Sequence, residues 1–300
     1  EIGMNFNAYG FGPANRRQWI VVDCGITFGN EIHVPGVDII LPDIRFLAEQ
    51  QENVLGIVAT HAHEDHIGAI APLWPMLKCP IYATPFTARL IEGKLAEAGV
   101  TAPVRDVPVG GSLTLGPFAI DFISITHSIL EPNLLAIRTP LGVIAHTGDW
   151  KIDPDPLLGE VTDTAAIEKL GDDGVLALVC DSTNALVPGH SGSEAEVRDG
   201  LTTLIGGLKG RVAVTAFASN VARLDSVARA AAANGRKVAL VGRSMHKIVA
   251  AAKESGYLAD LPPMLDAAEA TDLPARKILY LVTGSQGEPR AALGRIADGN

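Results

Sequence analysis

Apolar and polar positions along the first 185 residues alternate at the short period of β-strands, whereas later positions follow strand–helix repetition. "EIGMNFNAYG" and "RQWIVVDCG" read as strands joined by a Gly/Pro/Asn turn, as in a hairpin. Strand-like stretches recur at "NVLGIVAT", "CPIYAT", "SLTLGPFAIDFISIT", "NLLAIRTP", "GVIAHTGD" and "VLALVCDST". Helical patterns fit "HIGAIAPLWPMLK" and "PFTARLIEGKLAEAG" between them. From about residue 190, "SEAEVRDGLTTLIGGLKG" predicts a helix whose Ser193 and Glu196 have capping-box spacing. "RVAVTAF" then leads into "NVARLDSVARAAAANG", "KVALVG" into "SMHKIVAAAKESG", and "KILYLVTG" through "SQGEP" into "RAALGRIAD". Such repetition predicts a parallel, doubly wound sheet. The expected domains are 1–185 and 186–300, with no low-complexity linker between them.

Composition narrows the class. The chain is 47% apolar and 19% charged, a globular balance, and no apolar run approaches the roughly 18 residues that cross a bilayer. Cys24, Cys79 and Cys180 are odd in number and far apart, which predicts reduced thiols and a cytoplasmic setting. The chain starts inside a strand-like stretch and stops where a helix ends, as expected of a piece of a longer protein. The net charge of −10 hides a contrast: residues 198–253 carry ten basic residues against Asp199 and Asp225, so this segment is +8 and the remainder −18. A basic segment of that size would steer a polyanion, although a solvated helical face has the same composition.

The densest chemistry is "THAHEDHIGAI" at residues 60–70, where three of the 8 histidines fall within six positions after an apolar run. His61 and His63, two apart on an extended segment, can point the same way, and the following turn brings Asp65 and His66 to an adjacent point. Imidazole and carboxylate together suit zinc, with manganese or iron as less exclusive alternatives. Four ligands in two pairs suggest two metals. Composition alone would produce H-x-H-x-D-H on the order of 10⁻⁴–10⁻³ times in such a chain.

T-H-x-H-x-D-H after a strand resembles motif 2 of the metallo-β-lactamase superfamily. By that resemblance, "VVDCG" supplies Asp23 to orient the ligands, "ITHSI" supplies His127, and "AHTGDW" supplies Asp149 as a carboxylate shared by both metals. The first metal would take His61, His63, His127 and Asp149, and the second Asp65, His66 and Asp149. "LVCDSTNALVPGHSGSE", "VAVTAFASNVARL", "KVALVGRSM" and "TGSQGEPRAALGRIA" resemble the β-CASP insertion of the ribonuclease J family, with Asp181 matching the acidic residue that opens it. The implied fold is an αββα metallo-β-lactamase sandwich carrying a β-CASP α/β domain. The implied activity is 5′→3′ exonucleolytic and endonucleolytic hydrolysis of 5′-monophosphorylated RNA by a hydroxide activated by two zinc ions, manganese being the alternative. Asp65, His66, Asp149 and Asp181 would serve the reaction. A homodimer or homotetramer is implied for the whole protein, and the last metal-binding His and the general acid are expected beyond residue 300.

Junctions at "FASN", "GRS" and "GSQG" place backbone N–H groups at helix starts, so Ser219, Asn220, Arg243, Ser285 and Gln286 are candidate RNA contacts, with helix capping as the plain alternative. Phe217 could stack on a base. Two departures stand out: His190 replaces a tyrosine-like residue, and "HSILEPN" differs from the usual "HSIPDS" type. Two other functions compete: a small-ester or thioester hydrolase completed by His190, and an inactive RNA-binding subunit. His246 falls within a helical pattern and reads as a surface or core residue.

Overall fold

The computed structural model describes residues 3–29, 34–285 and 291–299. The chain divides into two compact units, one of residues 1–127, 131–152 and 160–189, the other of 128–130, 153–159 and 190–300.

In the first unit, β1 (Asn7–Phe11) and β2 (Gln18–Val22) form the antiparallel hairpin that the alternation predicts. A small ladder of β3 (Thr27–Phe28) and β4 (Ile39–Ile40) and the short helix α1 (Arg45–Ala48) precede β5 (Val54–Val58). The stretch predicted as one helix after the histidines is two, α2 (Glu64–Ile67) and α3 (Ile70–Leu77), broken at Gly68 and Ala69. Next come β6 (Ile81–Ala83), α4 (Pro85–Glu97) and β7 (Val104–Asp106). Among the described residues these strands line up β1-β2-β5-β6-β7, parallel from β2 onward.

A second sheet follows. The long stretch "SLTLGPFAIDFISIT" is not one strand but a hairpin, β8 (Ser112–Leu115) and β9 (Phe118–Ser124). Gly116, at φ +53°, takes the left-handed turn conformation, and Pro117 brings no N–H to the ladder. After β10 (Asn133–Thr139), β11 (Gly142–His146), α5 (Thr164–Asp173) and β12 (Ala177–Val179), the order is β12-β11-β10-β9-β8. The period-2 pattern explains the packing. Phe118, Ile120 and Phe122 of β9 meet Ile20, Val22 and Val58 of the first sheet in one buried cluster. On the opposite face Ile123 and Leu134 pack against Leu170 of α5, while α4 buries Phe86, Ile91 and Leu95 on the side of β6 and β7. The layers are therefore helix, sheet, sheet, helix. Each large apolar side chain so buried contributes about 1.5–3 kcal/mol.

The second unit contains α6 (Glu194–Gly207), β13 (Val212–Thr215), α7 (Val221–Ala233), β14 (Lys237–Val241), α8 (Arg243–Glu254), β15 (Met264–Asp266), β16 (Ile278–Val282) and α9 (Ala292–Ala297). Its strands pair in parallel in the order β13-β16-β14-β15. β15 arises from what the sequence pattern reads only as a Pro-rich connection. The capping box at α6 is complete: Ser193 Oγ accepts from Glu196 N at 3.1 Å and the Glu196 carboxylate accepts from Ser193 N at 3.2 Å. No helix among the described residues is long and apolar enough to cross a membrane.

The basic segment is less available than its charge count implies. Arg223 pairs with the buried Glu194, and Arg229 bridges Asp225 and Asp260. Arg236 is buried and donates to the carbonyls of Leu208, Gly210, Ala275 and Ile278, joining the chain ends that enter β13, β14 and β16. Three of the ten cations are thus committed to holding this unit together.

Candidate metal centre

His61 and His63 stand just beyond the C-terminal end of β5, His127 beyond β9 and Asp149 beyond β11, with Asp23 beyond β2, while Asp65 and His66 lie on α2. Strands running in one direction within each sheet bring these ends to one rim.

Two ligand groups form there. His61 Nε2 and His63 Nδ1 are 3.1 Å apart, and His127 Nε2 lies 3.2 Å from the same His63 atom. The rings stand nearly perpendicular, at 81–84°. Tetrahedral zinc with nitrogen ligands near 2.1 Å sets their separation at roughly 3.4 Å, so the three nitrogens fit one such ion. Burial, reinforced by neighbouring imidazoles, pushes His61 and His63 below the usual histidine range, and burial does the same for His127 against the opposing pull of Asp149. All three are therefore neutral at pH 7, the form that offers a lone pair.

The second group gathers His61, His66 and Asp149. His66 Nε2 lies 3.3 Å from Asp149 Oδ1 and 3.5 Å from Asp65 Oδ2. The other Asp149 oxygen faces His127 Nε2 at 3.8 Å, so one carboxylate addresses both groups. Burial alone would lower the His66 pKa, but Asp23, Asp149 and Asp65 surround the ring and hold it well above the ordinary value. Asp149 and Asp65 are in turn held low, burial being outweighed by His66.

Asp23 organises this loop. It is fully buried at φ +61°, a conformation that Asp tolerates better than most residues. Its Oδ2 lies 2.7 Å from His66 Nδ1, while Oδ1 accepts from Thr60 N at 2.7 Å. Gly25 lets the chain pass directly under the Asp65 carbonyl, where a Cβ would collide with backbone.

Beside these groups is a cavity of about 500 Å³ whose wall includes Asn5, Asp65, His66, His146, Asp149 and Asp181. The Asp181 carboxylate accepts from Thr183 N and Oγ1 at 2.9 and 2.8 Å. Three residues here escape sequence reasoning. Asn5 Nδ2 reaches Asp65 Oδ2 at 3.3 Å and His66 Nε2 at 3.0 Å, and the Tyr9 hydroxyl meets His146 Nδ1 at 2.7 Å. Only their strand-end or hairpin positions hint at them.

The other candidates separate. His190 is exposed and is the first residue of the 190–300 segment of the second unit. His246 is on the surface, 3.7 Å from Asp266. In the second unit, Ser219, Arg243 and Ser285 follow β13, β14 and β16, adjacent parallel strands, and so share one sheet edge. Arg243 and Ser285 are exposed and Ser219 is half-buried. The Asn220 Oδ1 caps α7 by accepting from Arg223 N at 2.9 Å, and the residue is buried. Phe217 is half exposed, and Gln286 lies outside the described residues.

The sandwich and its rim of imidazoles and carboxylates define a metallo-hydrolase scaffold, and residues 7–190 match the model of the metallo-β-lactamase superfamily. The chain belongs to that superfamily. Residues 209–300 match the model of the β-CASP domain of ribonuclease J. The chain is 50% identical to ribonuclease J of Sinorhizobium meliloti over 99% of its own length and 53% of that protein. It is 40% identical to ribonuclease J of Thermus thermophilus over 99% of its own length and 52% of the relative. It therefore spans about half the length of these relatives. A solved protein of unknown function from Enterococcus faecalis shares the fold, with TM-score 0.65 at 15% identity, covering 95% of this chain and 75% of that one.

Proposed function

We propose that this chain forms the nuclease core of a metal-dependent ribonuclease that hydrolyses RNA phosphodiesters. The observation that carries the reading is the Asp149 carboxylate, one oxygen turned to His66 and the other to His127, between two ligand groups. His61, His63, His127 and Asp149 would hold one divalent ion, and Asp65, His66 and Asp149 a second, zinc by donor type or manganese. Such ions supply a water activated near neutral pH and offset charge on phosphoryl oxygens. The chain's own residues do the rest: Asp23 fixes the His66 ring, Asn5 holds Asp65 beside it, and Asp181 shapes the cavity wall through its turn with Thr183. The relatives' name supports RNA as substrate, and the exposed Arg243 and Ser285 at one sheet edge support phosphate contacts. Attack on 5′-monophosphorylated RNA by both 5′→3′ exonucleolytic and endonucleolytic routes, a cytoplasmic location and a homodimer or homotetramer complete the proposal.

Asp65→Ala and His66→Ala in the full-length protein should abolish RNA cleavage while RNA binding, measured by filter retention, persists. Cleavage equal to wild type in both variants would sink the metal-assisted mechanism.

A further inference from the structure

The cavity beside Asp149 contains an imidazole that neither ligand group uses. His146 ends β11, is 4% exposed, and lines the cavity. Its ring meets Tyr9 edge-on, at 85° with centroids 6.0 Å apart, and the Tyr9 hydroxyl stands 2.7 Å from Nδ1.

That bond can run in two directions. If Nδ1–H donated to the phenol oxygen, the Tyr9 proton would have no protein acceptor, because the hydroxyl makes no other hydrogen bond among the described residues. Burial, with Asp23 nearby, also raises the phenol's pKa, so that proton stays in place. The phenol therefore donates to Nδ1. His146, kept neutral by burial, then carries its single proton on Nε2. This Nε2–H has no hydrogen-bond partner among the described residues and is not sealed from solvent. With no lone pair on either nitrogen left over, the ring cannot ligate a metal, in keeping with its absence from both ligand groups.

The remaining wall of the cavity is rich in acceptors. Asp65, Asp149 and Asp181 contribute carboxylates. Of the other side-chain donors, the Asn5 amide is engaged with Asp65 and His66, the Thr183 hydroxyl with Asp181, and the Thr147 hydroxyl with the Gly148 carbonyl, while Asn7 and Ser182 also line the wall. An incoming phosphodiester needs donors for its non-bridging oxygens, and the His146 Nε2–H is the ring donor held ready for one. We infer that His146, locked in its Nε2–H tautomer by Tyr9, is a substrate-positioning residue that donates to a phosphate oxygen. This rests on the nuclease reading above.

Two measurements on the metal-loaded full-length protein test it. Long-range ¹H–¹⁵N spectra of histidine-labelled protein should show His146 protonated on Nε2 and bare on Nδ1, with this pattern lost in Tyr9→Phe. His146→Ala should lower kcat/KM for RNA roughly 10- to 100-fold with bound metal unchanged, the range expected for one hydrogen bond to an anion. His146→Gln, which keeps a donor, should recover much of the loss. A proton on Nδ1 in the wild type, an unimpaired His146→Ala protein, or a loss of activity that tracks loss of metal would each overturn the inference. A wild type that cleaves no RNA would instead defeat the nuclease reading, and the tautomer spectrum would still decide the Tyr9–His146 bond.

Discussion

The buried Asp23 carboxylate stands 2.7 Å from His66 Nδ1, fixing which face of that ring is turned toward Asp149. Outer partners of this kind typically govern metal affinity by 10- to 100-fold. Asp23→Asn keeps the size of the side chain and suits the same left-handed backbone. It should weaken binding of the second metal by about that factor while far-UV circular dichroism stays unchanged. Competition with a chromophoric chelator reads the affinity, and wild-type affinity would show that His66 needs no such anchor.

Gly25 offers a test that adds a single methyl group. A Cβ at this position would run into the Asp65 carbonyl and the His66 backbone nitrogen, which are main-chain atoms that cannot swing aside. Gly25→Ala should displace the loop carrying Asp65 and His66, costing about 3 kcal/mol or more by urea denaturation. Metal retained after gel filtration should fall with it.

Arg236 bears on the second unit alone. Its guanidinium joins four backbone carbonyls while buried, a geometry that an ammonium cannot reproduce. Arg236→Met should destabilise by about 3 kcal/mol, and Arg236→Lys should rescue little of it. Denaturation followed by intrinsic fluorescence and circular dichroism would measure both. A neutral Arg236→Met would show that these carbonyl contacts do not hold the unit together.

The three thiols should react unequally. Burial pushes Cys79 up to about 12 and, with Asp23 nearby, raises Cys24 still further, whereas Cys180 is exposed. Since the thiolate is the reacting form and both buried thiols titrate far above pH 8, Cys180 alone should be modified rapidly by Ellman's reagent in the native protein. All three should react once the chain is unfolded. Rapid release of more than one equivalent from the native state would contradict the burial of Cys24 and Cys79.

The ligand sequence His61, His63, Asp65, His66 was legible because metal chemistry restricts both residue type and spacing, and a strand followed by a turn makes such neighbours converge without help from distant parts of the chain. The parallel sheet of the second unit was legible for a similar reason, since strand–helix alternation leaves few connections that can close. The hairpin at Gly116 and the strand Met264–Asp266 were not anticipated. A Gly-Pro inside an apolar run, and three residues amid prolines, change the periodicity too little to register.

What the sequence by itself determined is the chemistry: which imidazoles and carboxylates are present, and in what local order along strand ends. What only the tertiary structure decided is how they are oriented and charged. Tyr9 and His146 are separated by 137 positions, Asn5 and His66 by 61, and Asp23 and His66 by 43, so no local pattern couples them. Pairing of β1, β2 and β5 in one sheet sets Asn5 and Asp23 beside His66, and packing the two sheets face to face brings Tyr9 onto His146 and strips away the water. Burial and hydrogen bonding then select the tautomers and protonation states on which the chemistry of the rim depends.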